Sequence, residues 1–459
     1  MGSAQQYWTP RAWVAGAWAE GVLLSVGGDG RWQSIKTGVV AAPADTATRL
    51  GGPVIPGIVN AHSHAFQRAI AGLTERSAGH HDDFWSWRER MYRVALRITP
   101  AQLEAIATQL YAELLQGGYT HVCEFHYLHN DLDGRPYANP LEMSLALVRA
   151  AAATGIGLTL LPVLYMHSGF GAQAGAGGLR EDQRRFASTP DSVLRIAQAV
   201  NQLGLPKVCA GLALHSLRAV DPAALRETTE AAALHGWPIH IHIAEQMQEV
   251  DDCTTHHGQR PVAWLLDHAA VDPRWNLVHA THTTAQELAG IQSAGAAVVL
   301  CPSTEANLGD GVFDLPAYLK LQGAWSVGSD SQVTRRFDEE LRLLEYAQRL
   351  ARRQRNLAAR ASGLDSSAAA LMEGALRGGS AAAGTALAGL AVGQRADFCV
   401  LDAEAPALAG IPRDHLLDAL IFSSPGAGFR AVHVAGNAVQ TPPASWQAGL
   451  VRAMRSLWD

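Results

Sequence analysis

The chain has 459 residues, of which 48% are hydrophobic and 17% charged, and its formal net charge at pH 7 is −6. This balance argues against extensive disorder, and the negative charge disfavours a broad surface for nucleic acids. At about 100–200 residues per domain the length predicts two or three domains, unless an α/β barrel takes more than about 250 residues.

The first residues and the cysteines indicate a cytoplasmic protein without a membrane segment. Residues 1–13 lack a basic segment followed by an apolar one, so we expect no signal peptide. No apolar run reaches the length of a membrane span. Five cysteines are scattered along the chain without a CxxC pair, which is typical of reduced thiols rather than of a disulfide framework or a zinc knuckle.

Residues 1–53 have the character of strands and turns. Short apolar runs at Trp13–Trp18 and Gly21–Val26 are followed by Gly-Gly-Asp-Gly at residues 27–30, a composition typical of a turn. We predict that residues 1–53 form the first part of a small β domain.

Residues 54–380 alternate between apolar segments of strand length and helix-periodic segments. Eight such rounds predict parallel βαβ units that close into a TIM-like (β/α)8 barrel, an α/β fold. The predicted strands are Val54–His62, Tyr119–Tyr127, Gly157–Tyr165, Lys207–His215, Pro238–Glu245, Trp275–His282, Ala296–Cys301 and Ala324–Asp330. Helices are predicted at Pro100–Gln116, Val193–Leu203, Pro222–Leu234, Ala285–Ser293 and Phe337–Arg353.

Residues 381–459 return to strand character. Strands are predicted at Ala396–Leu401 and Ala431–Val439, followed by a tail helix from about Trp446. Both chain ends are therefore expected to build one small β-sandwich domain beside the barrel. The glycine-rich segment Ser168–Gly178 after the third strand is either a surface excursion or a lid over the barrel mouth.

The first barrel strand ends in Asn-Ala-His62-Ser-His64. Side chains alternate along a strand, so His62 and His64 share a face and can both point into the barrel mouth. Active sites of such barrels lie at the carboxyl ends of the strands. This position favours metal ligation over a pair of hydrogen-bonded core histidines.

The fifth strand carries His240, His242 and Glu245 near its end. His242 lies nearer the mouth and is the predicted ligand, whereas His240 lies one pleat deeper and is predicted to be structural. Glu245 falls at the start of the following loop, where its carboxylate could reach a metal-bound water or a leaving group.

The sixth and eighth strands complete the predicted site. Either His279 or His282 could face inward, depending on where the sixth strand bends, and Asp330 brings one carboxylate to the end of the eighth strand. Histidines with one carboxylate suit Zn²⁺, with Fe²⁺ or another divalent metal as the alternative.

The order of these residues resembles the amidohydrolase superfamily, in particular its branch of mononuclear aminohydrolases. The resemblance is carried by Pro56-Gly-Ile-Val-Asn-Ala-His62-Ser-His64, His242-Ile-Ala-Glu245, His279, Gly328-Ser-Asp330 and the closing segment Gly389–Asp402. It implies a homodimer with one divalent metal per chain, preferably Zn²⁺, held by His62, His64, His242 and Asp330. It further implies catalytic roles for Glu245, His279 and Asp330.

Binuclear members of this superfamily carry a carboxylated lysine on the fourth strand. Lys207 is the only lysine of that predicted strand, and it lies at the beginning of the strand, away from the barrel mouth. We therefore expect one metal rather than two.

Further segments resemble the deiminases that act on N-formimidoyl-L-glutamate. They are His64-Ala-Phe-Gln67, Asp83-Phe-Trp-Ser-Trp-Arg88, Glu124-Phe-His-Tyr127, Leu214-His215-Ser-Leu-Arg218 and Pro302–Asp310. The resemblance implies metal-dependent deimination of that compound in histidine degradation, with Gln67, Arg88, Tyr127, His215 and Arg218 binding the substrate. Arginines pair well with the two carboxylates of such a dianion, although each arginine alone could form an ordinary ion pair on an exposed loop.

Two other functions stay open. A different amidohydrolase could act on a nucleobase, an adenosine-type substrate or an imidazolone ring, but flat rings call for aromatic stacking, and the two arginines favour a dianion. A non-catalytic relative would be expected to lack metal ligands, and none of the expected ligands is missing. The expected partner is a small dianionic molecule, not a nucleic acid or a membrane.

Overall fold

The structure is a computed structural model that describes residues 5–43, 46–76, 83–171, 178–424, 426 and 428–459. Most of the segment considered as a lid, residues 172–177, lies outside the described residues.

In chain order the described strands are β1 (Gln5–Val14), β2 (Ala17–Val26), β3 (Trp32–Lys36), β4 (Thr48–Arg49), β5 (Val54–Pro56), β6 (Ile58–Ser63), β7 (Tyr119–His126), β8 (Gly157–Leu164), β9 (Val208–Ala210), β10 (Leu212–Leu214), β11 (Ile239–Ile243), β12 (Trp275–His279), β13 (Ala297–Leu300), β14 (Ala324–Val327), β15 (Phe398–Leu401), β16 (Phe429–Val434) and β17 (Asn437–Ala438).

The described α-helices are α1 (Phe84–Ala95), α2 (Pro100–Gln116), α3 (Glu142–Thr154), α4 (Pro190–Gln202), α5 (Pro222–His235), α6 (Met247–His257), α7 (Pro261–His268), α8 (Ala285–Ala294), α9 (Pro302–Leu308), α10 (Leu315–Lys320), α11 (Phe337–Arg352), α12 (Leu357–Ser362), α13 (Ser367–Ala383), α14 (Leu416–Ser423) and α15 (Ala444–Trp458). Short 3₁₀ helices lie at Ala65–Ala69, Glu181–Phe186 and Arg413–His415.

Strands from both chain ends form one curled sheet, as predicted for the small β domain. Its order is β17-β16-β15-β5-β1-β2-β3, with β4 paired to β1. Trp32 and Phe398 pack in the apolar core of this sheet. The apolar run Trp13–Trp18 is the end of one strand, a turn and the start of the next, because Ala15 and Gly16 both have positive φ.

The other sheet is the nearly closed parallel barrel that the alternating pattern predicts. Its order is β14-β13-β12-β11-β10-β8-β7-β6, with β9 paired to β8. A parallel bridge between Ser63 and Asp330 joins the ends of the first and eighth barrel strands. This closure brings the carboxyl ends of distant strands to one mouth.

Two strand predictions are corrected by the structure. Val54–Pro56 pairs with β1 and β15 in the terminal sheet, so the first barrel strand begins at Ile58 and not at Val54. The fourth strand is interrupted at Gly211, where a Cβ atom would lie 2.6 Å from the carbonyl oxygen of Pro238. A side chain at that point would collide with the backbone of the fifth strand.

The predicted helices are confirmed to within a few residues. α2, α4 and α5 each begin with a proline that follows a capping Thr99, Thr189 or Asp221. These caps accept hydrogen bonds from the free backbone N–H groups of the first turn, and proline fits there because its missing N–H has no helical partner.

Among the described residues, none of the helices combines the length and apolar character needed to cross a membrane. All five cysteines lie in the described part of the chain as free thiols.

Candidate active site

Three histidines and one aspartate from the first, fifth and eighth barrel strands meet at the mouth. Nε2 of His62 lies 3.1 Å from Nε2 of His64 and 3.0 Å from Nε2 of His242. Oδ1 of Asp330 lies 3.3 Å from Nε2 of His64 and 3.5 Å from Nε2 of His62. All four side chains are buried. The predicted ligand set is therefore together in space.

The donor set fits a divalent metal. Burial lowers the pKa of His62 to about 3 and also lowers the pKa values of His64 and His242, so these rings are neutral. Nδ1 of His64 lies 2.9 Å from the carbonyl oxygen of Phe125, which only accepts, so Nδ1 carries the hydrogen and Nε2 presents a bare lone pair. Nitrogen ligands in a tetrahedral zinc site lie about 3.3 Å apart. A cation between these atoms would remove the repulsion of the facing lone pairs.

His279, rather than His282, is the sixth-strand histidine that faces the site. Its Nε2 lies 3.6 Å from Oε1 of Glu245 and 3.8 Å from Oδ2 of Asp330, while its Nδ1 lies 3.3 Å from Oε1 of Glu305. Burial opposes a charge on this ring, but the three carboxylates outweigh it and raise the pKa of His279 to about 10. His282 lies half-buried in the following loop, with its ring against Gly311.

Glu245 is held at the start of the loop that follows β11. The buried carboxylate of Glu249 accepts hydrogen bonds from the backbone N–H groups of Ala244 at 3.1 Å and of Glu245 at 3.2 Å. Burial raises the pKa of Glu245 to about 7, and His279 works against this rise. A carboxyl group with such a pKa can hold a proton and release it near neutral pH.

The strand ends that carry these residues have unusual backbone conformations. Ala244, His279, Ala280, Asp330 and Gln332 all have φ between 46° and 68°, the left-handed region that non-glycine residues rarely adopt. The chain therefore turns sharply at or beside Glu245, His279 and Asp330, at or just after the ends of the strands. Such strain is found where the surrounding structure holds a residue in place for function.

A buried polar network supports the site from behind. Glu124 accepts hydrogen bonds from Ser63 Oγ at 2.9 Å and from the backbone N–H of Ala65 at 2.5 Å. Gln332 donates to Ser63 Oγ at 3.0 Å and to the carbonyl oxygen of Asp330 at 2.7 Å. Sequence reasoning missed this network, because Ser63, Glu124 and Gln332 are far apart in the chain and share no spacing, although Ser63 and Glu124 lie within motif segments quoted above.

The five predicted substrate-binding residues surround the same cavity as the metal ligands. Gln67, Arg88, Tyr127, His215 and Arg218 all line it together with His64, His242, Glu245, His279 and Asp330. Nε2 of Gln67 donates a hydrogen bond to Tyr127 Oη at 3.2 Å. The His215 ring packs against that of Tyr165, and burial holds the pKa of His215 well below its usual value.

The two arginines are not exposed ion pairs. The Arg218 side chain is 11% exposed, and its guanidinium lies 3.9 Å from Glu249. The half-buried Arg88 has no carboxylate within ion-pair distance among the described residues. Burial and the charge of Arg218 lower the pKa of Arg88. Positive charge is thus left available at one side of the cavity, while the carboxyl groups lie around His279.

Lys207 and His240 lie away from this cavity. Nζ of Lys207 donates to the carbonyl oxygen of Gly155 at 2.9 Å at the opposite end of the barrel. Nε2 of His240 lies 2.9 Å from the carbonyl oxygen of Ala382, so it ties the fifth strand to the end of α13.

The model of the amidohydrolase family matches residues 54–439. The formimidoylglutamate deiminase of Pseudomonas aeruginosa is 49% identical over 430 residues, which cover 93% of this chain and 92% of that protein. The 8-oxoguanine deaminase of the same organism is 29% identical over 303 residues, covering 65% of this chain and 64% of that enzyme.

Solved structures of amidohydrolases and related enzymes have the same fold as this chain. The crystal structure of an amidohydrolase from Brucella melitensis superposes with a TM-score of 0.91 at 42% identity, covering 99% of this chain and 100% of that one. An adenosine deaminase from Xanthomonas campestris with bound zinc has a TM-score of 0.79 at 20% identity, with 99% and 98% covered, and shares the fold. The chain therefore belongs to the amidohydrolase family.

Proposed function

We propose that this protein hydrolyses N-formimidoyl-L-glutamate to N-formyl-L-glutamate and ammonia, a reaction of histidine degradation. The observation that carries the proposal is the 49% identity to the Pseudomonas formimidoylglutamate deiminase over nearly the whole length of both chains. The charge layout of the cavity supports it, because two arginines suit the two carboxylates of this substrate. The carboxyl groups on the other side suit its basic formimidoyl end.

A divalent metal held by His62, His64, His242 and Asp330 would lower the pKa of water toward about 7 and so supply a nucleophile at neutral pH. In the reaction a C–O bond forms at the formimidoyl carbon and the bond from that carbon to its terminal nitrogen breaks. The nitrogen leaves as ammonia after it gains a proton.

Asp330, His279 and Glu245 are assigned separate roles at the formimidoyl carbon. The basic formimidoyl group enters protonated, and the attacking water loses one proton to solvent as the nucleophile forms. Oδ1 of Asp330 faces the histidine ligands, whereas Oδ2 faces His279 and takes the second proton. His279 Nε2 donates a hydrogen bond to the oxygen that becomes negative as the adduct forms. Glu245, whose pKa is raised to about 7, gives its proton to the departing nitrogen.

The substrate assignment is tested by measuring ammonia release. We expect release from N-formimidoyl-L-glutamate and none from guanine, cytosine or S-adenosylhomocysteine under the same conditions. Turnover of one of the ring compounds instead would support the alternative within the family. The metal content of the purified protein separates both enzymatic functions from a non-catalytic one.

Each arginine is expected to contribute to substrate affinity. Arg88→Met and Arg218→Met should each raise KM for N-formimidoyl-L-glutamate by about 10–100-fold, because a charge-assisted hydrogen bond to a carboxylate is lost. Steady-state kinetics measures the effect, with Arg195→Met as the control, since Arg195 forms an exposed pair with Asp191 on α4. An unchanged KM in both variants would mean that the carboxylates bind elsewhere.

Three finer assignments belong to the same proposal. We propose zinc as the metal because nitrogen ligands with one carboxylate suit it. A cytoplasmic location fits the five free thiols, and the homodimer rests on the family resemblance.

A further inference from the structure

One aromatic side chain at the barrel mouth has no role in the proposed reaction, although it lies within cation–π distance of both arginines. The guanidinium carbon of Arg88 lies 4.3 Å from the ring centre of Trp85, and that of Arg218 lies 5.9 Å from the same ring. Both distances lie within the range of cation–π attraction, about 6 Å. Trp85 thus links the helix after the first strand with the loop after the fourth.

The position of Trp85 is set by local structure. Trp85 and Arg88 are three residues apart on α1 and so share one face of the helix. Oδ1 of Asp83 accepts hydrogen bonds from the backbone N–H groups of Trp85 and Ser86, each at 3.0 Å, which fixes the first turn. The ring of Phe84 lies edge-on to the indole at 5.0 Å. The indole is therefore held in place before any ligand arrives.

An aromatic face can hold two guanidinium groups near each other without competing with the substrate, which a carboxylate would do. Two guanidinium groups at one site repel each other, and the pKa of Arg88 is lowered in part by Arg218. Glu249 lies beside Arg218 alone, at 3.9 Å, and a further carboxylate placed between the two arginines would compete with the carboxylates of the substrate. The indole attracts both cations through its π face and leaves the hydrogen-bond donors of Arg88 available, while Arg218 keeps Glu249 as a partner at 3.9 Å.

We propose that Trp85 is a positioning residue that holds Arg88 and Arg218 in the geometry needed to bind two carboxylates at once. The inference rests on the proposed function for the identity of the substrate, but its chemistry concerns any dicarboxylate of similar length. The affinity for a dicarboxylate therefore depends on Trp85, and the affinity for a monocarboxylate depends on it much less.

The test compares Trp85→Leu, Trp85→Phe and a control, Trp446→Leu, which removes a half-buried tryptophan from the tail helix α15. Glutarate and pentanoate are the probes, and calorimetry on the metal-loaded protein gives their dissociation constants. We expect Trp85→Leu to weaken glutarate binding about tenfold and pentanoate binding less than about threefold, with Trp85→Phe between Trp85→Leu and the wild type. With N-formimidoyl-L-glutamate, KM should rise about tenfold while kcat changes less than about twofold.

The outcomes separate this inference from the proposed function. Loss of glutarate affinity in a protein that does not turn over N-formimidoyl-L-glutamate would keep the inference and overturn the function. Two results would assign Trp85 to packing and overturn the inference. One is an equal loss of affinity for glutarate and for pentanoate. The other is a lower melting temperature with an unchanged ratio of the two dissociation constants. Should Trp85→Leu fail to fold, Trp85→Phe carries the same comparison.

Discussion

The variant Glu245→Gln is expected to retain its metal and to lose kcat by about 10²–10⁴-fold, the usual range for removal of a general acid. The amide keeps the size of the side chain but cannot release a proton to the departing nitrogen. The raised pKa of Glu245, about 7, indicates a group that is partly protonated at neutral pH and suited to that task. Ammonia release and metal analysis on the same preparation measure the two properties.

Glu340→Gln is the matched control for this prediction. Glu340 is a buried carboxyl group on α11 that accepts hydrogen bonds from the backbone and the hydroxyl of Ser303, and burial raises its pKa to about 8. It lies outside the catalytic set, so its amide variant should keep kcat within about twofold of the wild type. Loss of metal from Glu245→Gln, or an unchanged kcat, would contradict the role assigned to Glu245.

The variant His242→Asn should bind metal at least about 100-fold more weakly, since loss of a supporting partner alone costs roughly 10–100-fold. His242 is the fifth-strand member of the donor set, with its Nε2 3.0 Å from that of His62. Activity should disappear at metal concentrations that saturate the wild type. Metal titration followed by ammonia release tests both statements.

His240→Asn provides an unusually close control, because His240 lies on the same strand and the same face as His242. Its Nε2 lies against the carbonyl oxygen of Ala382 instead of the donor set. We expect this variant to bind metal as the wild type does and to lose about 1–3 kcal/mol of stability from the unpaired carbonyl group. Equal metal loss in both variants would indicate that the metal lies deeper in the barrel than proposed.

Most of the fold follows from local sequence patterns, and the exceptions have a physical reason. Eight apolar segments separated by amphipathic helices define a parallel barrel because each strand must be covered on its outer face. The segment from Val54 to Ala61 is apolar almost throughout, so nothing in it shows that Val54–Pro56 pairs with β15 and only the later residues with β7. Which strands pair with each other depends on how the whole chain folds and not on the local sequence.

In the candidate site, too, some residues could be predicted from local sequence and others could not. His62, His64, His242 and Asp330 could be predicted because each lies at a strand end and all barrel strands end at one mouth. The choice between His279 and His282 depended on where β12 ends, and the chain turns at His279 itself. Glu305 and the network around Glu124 involve residues far apart in the sequence, so no spacing reveals them.

The left-handed backbone at His279 and Asp330 implies a trade-off between stability and activity in this enzyme. Glycine adopts that conformation without the steric cost that a Cβ atom imposes. A laboratory selection for heat resistance alone would therefore reward replacement of these very side chains. Directed evolution of this scaffold needs a selection for turnover in parallel, so that thermal gains come from positions that chemistry does not require.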